Sequence, residues 1–218
     1  MTPDPKDMRD AMDLTEEIPL ASALLPLAEL RSHLRLGTGF ADDAVQNPVL
    51  EQILRAALAR VEQKTGKSVL TRRFVAMFGE TDGCGAMVLP RAPVGAVVAV
   101  TRIGADGARS ELAPSTVRLE DDPHRPRLHG VSIPSGGVVE VIFDAGYGAS
   151  WADVPADLAQ AVLSLAGAAY EDRSATEDIS EGVRAMLAPY RMPRLFGGHN
   201  HGTATDTRPD PRRPCRGR

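Results

Sequence analysis

Residues 153–173 read DVPADLAQAVLSLAGAAYEDR, and the fold is decided by how this stretch is read. Pro155 suits a first helical turn, where its missing N–H is not needed. Asp157 puts a carboxylate at the positive end of the helix dipole. Between Asp157 and Tyr170 the only polar residues are Gln160 and Ser164, set among Leu158, Ala159, Ala161, Val162, Leu163, Leu165, Ala166, Ala168 and Ala169. A helix that is apolar nearly all round must be covered on more than one side. It is also too short to span a bilayer comfortably. It therefore lies either in the middle of a helical packing unit or between subunits. On the second reading Leu158, Val162, Leu165 and Ala169 meet a neighbouring subunit.

Working outward, the other helices are expected to pack around this one. Pro26 opens a short helix to Leu34, with Leu27, Leu30 and Leu34 at helical spacing. Asn47 reads as an N-cap and Pro48 as a first residue of a helix that Gly66 stops. Its inward stripe is Leu50, Ile53, Leu54, Ala57, Leu58 and Val61, while Glu51, Arg55, Glu62 and Gln63 mark a wet face. Ser180 caps a short helix with Val183, Met186 and Leu187 inward, ended by Pro189.

Between these helices the apolar period changes. Val69 to Phe78, Met87 to Leu89, Val94 to Ile103, Arg109 to Leu112, Thr116 to Leu119, Arg127 to His129 and Val138 to Phe143 read as short strands. Residues 105–108 carry a hairpin signal. The turns are frequent and no βαβ spacing occurs, so the pairing is expected to be mostly antiparallel. The fold class is α+β: a helical bundle with an inserted β subdomain and extended terminal arms. The divisions are an extended N-terminal arm (1–23), the first bundle helices (24–66), the β insertion (67–150), the central and C-terminal helices with a docking segment (151–196), and a basic Pro/Arg-rich tail (197–218).

Composition narrows the function. The chain has 218 residues, 43% hydrophobic but only 4% aromatic, so its core is built from Ala, Val and Leu with close helix contacts. From Ala188 onward seven Arg and two Asp give +5, so the remaining body carries −9 against a net −4. A basic tail on an acidic body seeks an acidic partner or nucleic acid, or is simply solvated. Cys84 and Cys215 form no disulfide framework or zinc pattern, which suits a reducing cytoplasm. No secretory signal or membrane-spanning run is read, so no membrane partner is expected.

Catalytic constellations are sparse. Asp121, Asp122, His124 and His129 lie close in sequence, and a small metal-dependent hydrolase using them is one alternative. That reading needs the four side chains to converge in a cleft, whereas their Pro-rich surroundings read more simply as a turn. His199 and His201 lack further ligands at paired spacing. A second alternative is a nucleic-acid-binding accessory protein using the Arg-rich tail, although no aromatic follows Phe196 to stack bases. No cofactor or metal is expected.

Several ordered stretches together resemble the head–tail connector, or adaptor, family of long-tailed bacteriophages, in the form with a β insertion between long helices. They are residues 27–36, 61–67 (VEQKTGK), 89–94 (LPRAPV), 143–148 (FDAGYG), 154–158 (VPADL) with Tyr170-Glu171, and 187–191 (LAPYR). Arg outnumbers Lys, and Ala and Gly are common, a composition that fits a gene transfer agent, a domesticated phage-like particle. The resemblance implies a non-enzymatic ring of about twelve subunits below the portal. That ring would join the DNA-filled head to a stopper or tail-terminator protein, in the neck of a particle assembled in the bacterial cytoplasm. Double-stranded DNA would pass through its lumen without sequence-specific binding. A C-terminal segment docks on the portal in this family. Here that maps to Tyr190, Arg191, Met192, Arg194, Leu195 and Phe196, with Arg208, Arg212 and Arg213 in the tail. Exposed ion pairs are each worth only ~0–1 kcal/mol, so the apolar anchors would carry more of that docking.

Overall fold

The computed structural model describes residues 13–36, 43–81, 85–171 and 179–191. The central helix forms as expected: α3 spans Ala156–Glu171, with Asp157 in its first turn. Leu158, Ala161, Val162, Leu165, Ala166 and Gly167 are buried along it. The cover comes from the same chain. α1 (Leu27–His33) presents Leu30, and α2 (Asp43–Thr65) presents Leu50, Leu54, Ala57, Leu58 and Val61. α4 (Glu181–Leu187) adds Val183 and Leu187. Each fully buried Leu or Val contributes about 1.5–3 kcal/mol by transfer from water, which is why the helices close on one another. At Gly167 the absent side chain lets α1 approach, since a Cβ there would sit 3.3 Å from the His33 ring. Only a stripe of α3 that includes Asp157, Gln160, Ala168 and Glu171 is left exposed.

α2 departs from expectation at its start. It begins at Asp43 rather than after Asn47, and Pro48 lies inside it. A proline near the start of a helix removes only one bond of the ladder, so the helix runs through it. Asn47 is then not a cap. Its side-chain oxygen accepts from Arg31 Nη2 at 2.7 Å and ties α2 to α1. The C-terminus is as expected, with Gly66 at φ 72° donating to the Glu62 carbonyl at 2.8 Å.

The insertion contains two antiparallel sheets. The first has the order β1-β2-β8-β4-β5, with β1 Asp13–Glu16, β2 Arg72–Phe78, β8 Val138–Ala145, β4 Val94–Ile103 and β5 Arg109–Glu111. The second is β3-β7-β6, with β3 Met87–Val88, β7 Arg127–His129 and β6 Arg118–Glu120. Alternation in β2 and β8 puts Phe74, Ala76, Phe78, Val139, Val141 and Phe143 on one inner face, against Met87 and Leu128 of the smaller sheet. Phe74 and Phe143 stack with centroids 5.8 Å apart. This core is separate from the helical one.

Two expectations change here. Part of the N-terminal arm, Asp13–Glu16, is the edge strand of the large sheet, paired Thr15 to Val75 and Glu16 to Phe74. The first inserted strand begins at Arg72 instead of Val69. Lys67, Ser68, Val69 and Leu70 are buried where the insertion meets the helices. The two connections run side by side there. Thr71 N–H donates to the Gly148 carbonyl at 2.8 Å, and Gly146 N–H to the Pro93 carbonyl at 2.9 Å. No described helix is long and apolar enough to cross a membrane.

Candidate assembly surfaces

The C-terminal end of the bundle is built to hold its last described residues in place. Ser180 Oγ accepts from Val183 N–H at 3.4 Å, so α4 starts where the sequence places it. Past Leu187 a 3-10 turn, Ala188–Tyr190, carries Tyr190 back onto the bundle. The Tyr190 ring meets Tyr147 edge-on, with centroids 6.2 Å apart at 87°. Tyr190 thus spends part of its apolar surface within its own chain, and Arg191 beyond it is exposed. Met192, Arg194, Leu195, Phe196, Arg208, Arg212 and Arg213 lie outside the described residues, as do His199, His201, Cys84 and Cys215.

The tyrosine pair makes a pH prediction. Burial, and then the neighbouring Tyr190, push the Tyr147 hydroxyl up to about 12 from 10.0. Burial, and then Asp157, raise Tyr190 as well. For a raised phenol the folded state favours the neutral form. Its stabilisation is intact below the unfolded value of 10.0 and is lost as pH rises through about 12. Stability of the intact chain should therefore fall across that window. Tyr147→Phe should fall less, as urea midpoints on either side of pH 10.0 would show.

The packing places three of the four residues expected to bridge subunits inside the chain's own helical core. Leu158 and Val162 are 0% exposed and Leu165 9%, all within the chain's own helical core, and Ala169 is half-buried. Three helices of the same chain already cover Leu158, Val162 and Leu165, while Ala169 keeps part of its surface open.

The acid–histidine cluster does not converge. Asp122 Oδ1 accepts from the backbone N–H groups of His124 (2.7 Å) and Arg125 (2.8 Å), and these two bonds hold its carboxyl below the usual range. It is a turn-forming aspartate. His129 Nε2 instead pairs with Glu120 Oε2 at 2.8 Å on the exposed side of the small sheet, and Asp121 points to solvent. His124 Nδ1 lies 3.3 Å from Lys67 Nζ, which also donates to the Pro123 carbonyl. Among the described residues no three His, Cys, Asp or Glu are placed to hold a metal. The arrangement needed by the hydrolase alternative is thus not formed.

One polar constellation escaped sequence reasoning. Glu62, expected on the wet face of α2, is buried at 7% exposure. It accepts from Val69 N–H at 3.0 Å and from Arg72 Nη2 through both carboxylate oxygens. Arg72 Nη1 reaches Glu16 Oε2 at 2.9 Å, and its guanidinium lies 5.4 Å from the Phe74 ring centroid. One arginine therefore fastens the end of α2, the first inserted strand and the arm. The available signal was position: Glu62 follows Leu58 by four residues and so continues the inward stripe.

The sheet edges complete the surface. β1, β5 and β6 each carry two charged residues, whereas Val94 to Thr101 of β4 carry none. β5 pairs with β4 from Thr101 to Ile103, Leu112 N–H takes the Val100 carbonyl, and the 3-10 turn Pro114–Thr116 that follows lies beside β4. Among the described residues Gly95–Ala99 have no ladder partner on that side, and Val98 is 40% exposed.

No family model matches the chain, and no curated protein does. Solved structures do. A chain in the neck of an empty gene transfer agent particle, computed with C6 symmetry, is 40% identical with TM-score 0.78. A chain in the virion of a native gene transfer agent particle is 40% identical with TM-score 0.76. A chain in the neck of a native particle, computed with C12 symmetry, is 36% identical with TM-score 0.73. Each match covers 86% of this chain and 99% of the other. A two-core α+β protein with this likeness is a structural component of a virion neck. The chain belongs to the head–tail connector (adaptor) family, in the form carried by gene transfer agents.

Proposed function

We propose that the chain is the adaptor subunit of a ring of about twelve copies that sits below the portal and joins the DNA-filled head to the stopper or tail-terminator protein. The observation that carries this reading is the likeness to neck chains over 86% of this chain and 99% of theirs, one of them in a particle neck computed with C12 symmetry. The role is mechanical, not catalytic. The helical bundle presents the C-terminal segment to the portal, and the β insertion extends away from it toward the next component. The body's net negative charge suits a DNA passage, because like charge keeps the phosphate backbone from being held. Assembly takes place in the bacterial cytoplasm before the particle is complete.

Truncation after Arg191 tests the docking end. The shortened chain keeps Tyr190 against Tyr147, so its thermal midpoint should match that of the full chain. It should nevertheless fail to join heads to tails in a complementation assay. Electron microscopy of full-length protein mixed with portal should show an axial ring stacked beneath it. A monomer indifferent to the portal would remove the adaptor reading, and a truncated chain that still joins particles would remove the assigned docking segment.

A further inference from the structure

Within the ring reading, on which this inference rests, a closed cyclic array needs two different, mutually complementary surfaces on every subunit. We infer that these are the two open edges of the large sheet: β1 of one copy pairs with the Gly95–Ala99 edge of β4 in the next, so that the sheets run on from subunit to subunit.

Four observations point this way. An uncharged, partly exposed strand edge is a liability that soluble chains guard with charge; this chain places charges on β1, β5 and β6 but none on the open stretch of β4 or on the two-residue edge strand β3. The strand directions fit. All neighbours in the order β1-β2-β8-β4 are antiparallel, so β1 and β4 run oppositely. A copy rotated about an axis along the strands therefore offers its β1 to β4 in antiparallel sense. The lengths also match. Register shifts at Val94/Ala96 and Val97/Ala99 restrict the open edge to a short partner, and β1 has 4 residues. Finally, two of the exposed large apolar side chains flank the two edges, Val98 on β4 and Ile18 (68% exposed) just past β1. Setting Thr15 opposite Val98 lays Leu14 to Glu16 along Val97 to Ala99.

The test uses the full chain with Cys84→Ser and Cys215→Ser, carrying Thr15→Cys and Val98→Cys together or singly, mixed with portal and treated with a short bis-maleimide. The double variant should give a denaturant-resistant ladder reaching the full ring, and each single variant none. Val98→Lys should abolish ring formation while leaving the thermal midpoint of the subunit within a few degrees. Rings visible by microscopy in which the double variant cross-links no more than the singles would overturn the edge pairing and leave the adaptor reading standing. So would rings that persist in Val98→Lys. A wild-type chain that forms no ring with portal would overturn both.

Discussion

Gly146→Ala is expected to cost about 3–5 kcal/mol and to leave little folded protein at ambient temperature. Gly146 has φ 145°, a conformation that side-chain-bearing residues rarely adopt. A Cβ there would also lie 2.4 Å from Thr71 Cα and N and 2.5 Å from the Leu70 carbonyl carbon. Those are backbone atoms of the other connection to the helices and cannot rotate away. Gly107 is the control: its φ is 82°, but nothing lies within 4 Å of the added carbon. Gly107→Ala should therefore cost only about 1 kcal/mol from strain. Urea midpoints decide the matter, and equal losses at the two positions would contradict the close approach at 146.

Arg72→Met is expected to destabilise by about 3–5 kcal/mol, because it strands the Glu62 carboxylate in a buried site with its partner gone. It also frees Glu16 and the arm strand it holds. The companion Glu62→Leu/Arg72→Met double variant removes both charges and should recover most of that loss. Recovery should stop short of complete because Val69 N–H loses its acceptor, at about 1–3 kcal/mol. Hydrogen exchange should then show the arm loosened in both variants. An Arg72→Met protein within about 1 kcal/mol of the parent would mean that water, not Arg72, satisfies Glu62.

The helices were legible in the sequence where the signals are local. Pro155, Asp157 and the apolar run define α3, Gly66 ends α2, and Ser180 starts α4 within the stretches expected. Pro48 misled because proline is common at a first helical position, and only the fold shows a helix passing through it. β1 was not legible as a strand. Its four residues have no strand pattern of their own and become one by pairing with β2, more than fifty residues away. The same distance hides the Arg72–Glu16 half of the Glu62–Arg72–Glu16 link. Leu158, Val162 and Leu165 show a further limit: an all-round apolar helix announces that it must be covered, but not by whose side chains. The assembly surfaces were legible only as a family resemblance carried by the order of several short stretches. The unguarded β4 edge is different. Its lack of charge is visible in the sequence, but its lack of a partner strand appears only with the sheet order.

The hydrogen bond between Thr71 and Gly148 has an evolutionary corollary. A segment whose beginning and end touch can be lengthened, trimmed or swapped by recombination without prising apart the scaffold that carries it. The helices could thus keep their own packing unchanged while the inserted sheets diverge. The arm strand β1 sets the condition for such an exchange: any replacement module must still offer it a strand to lie against.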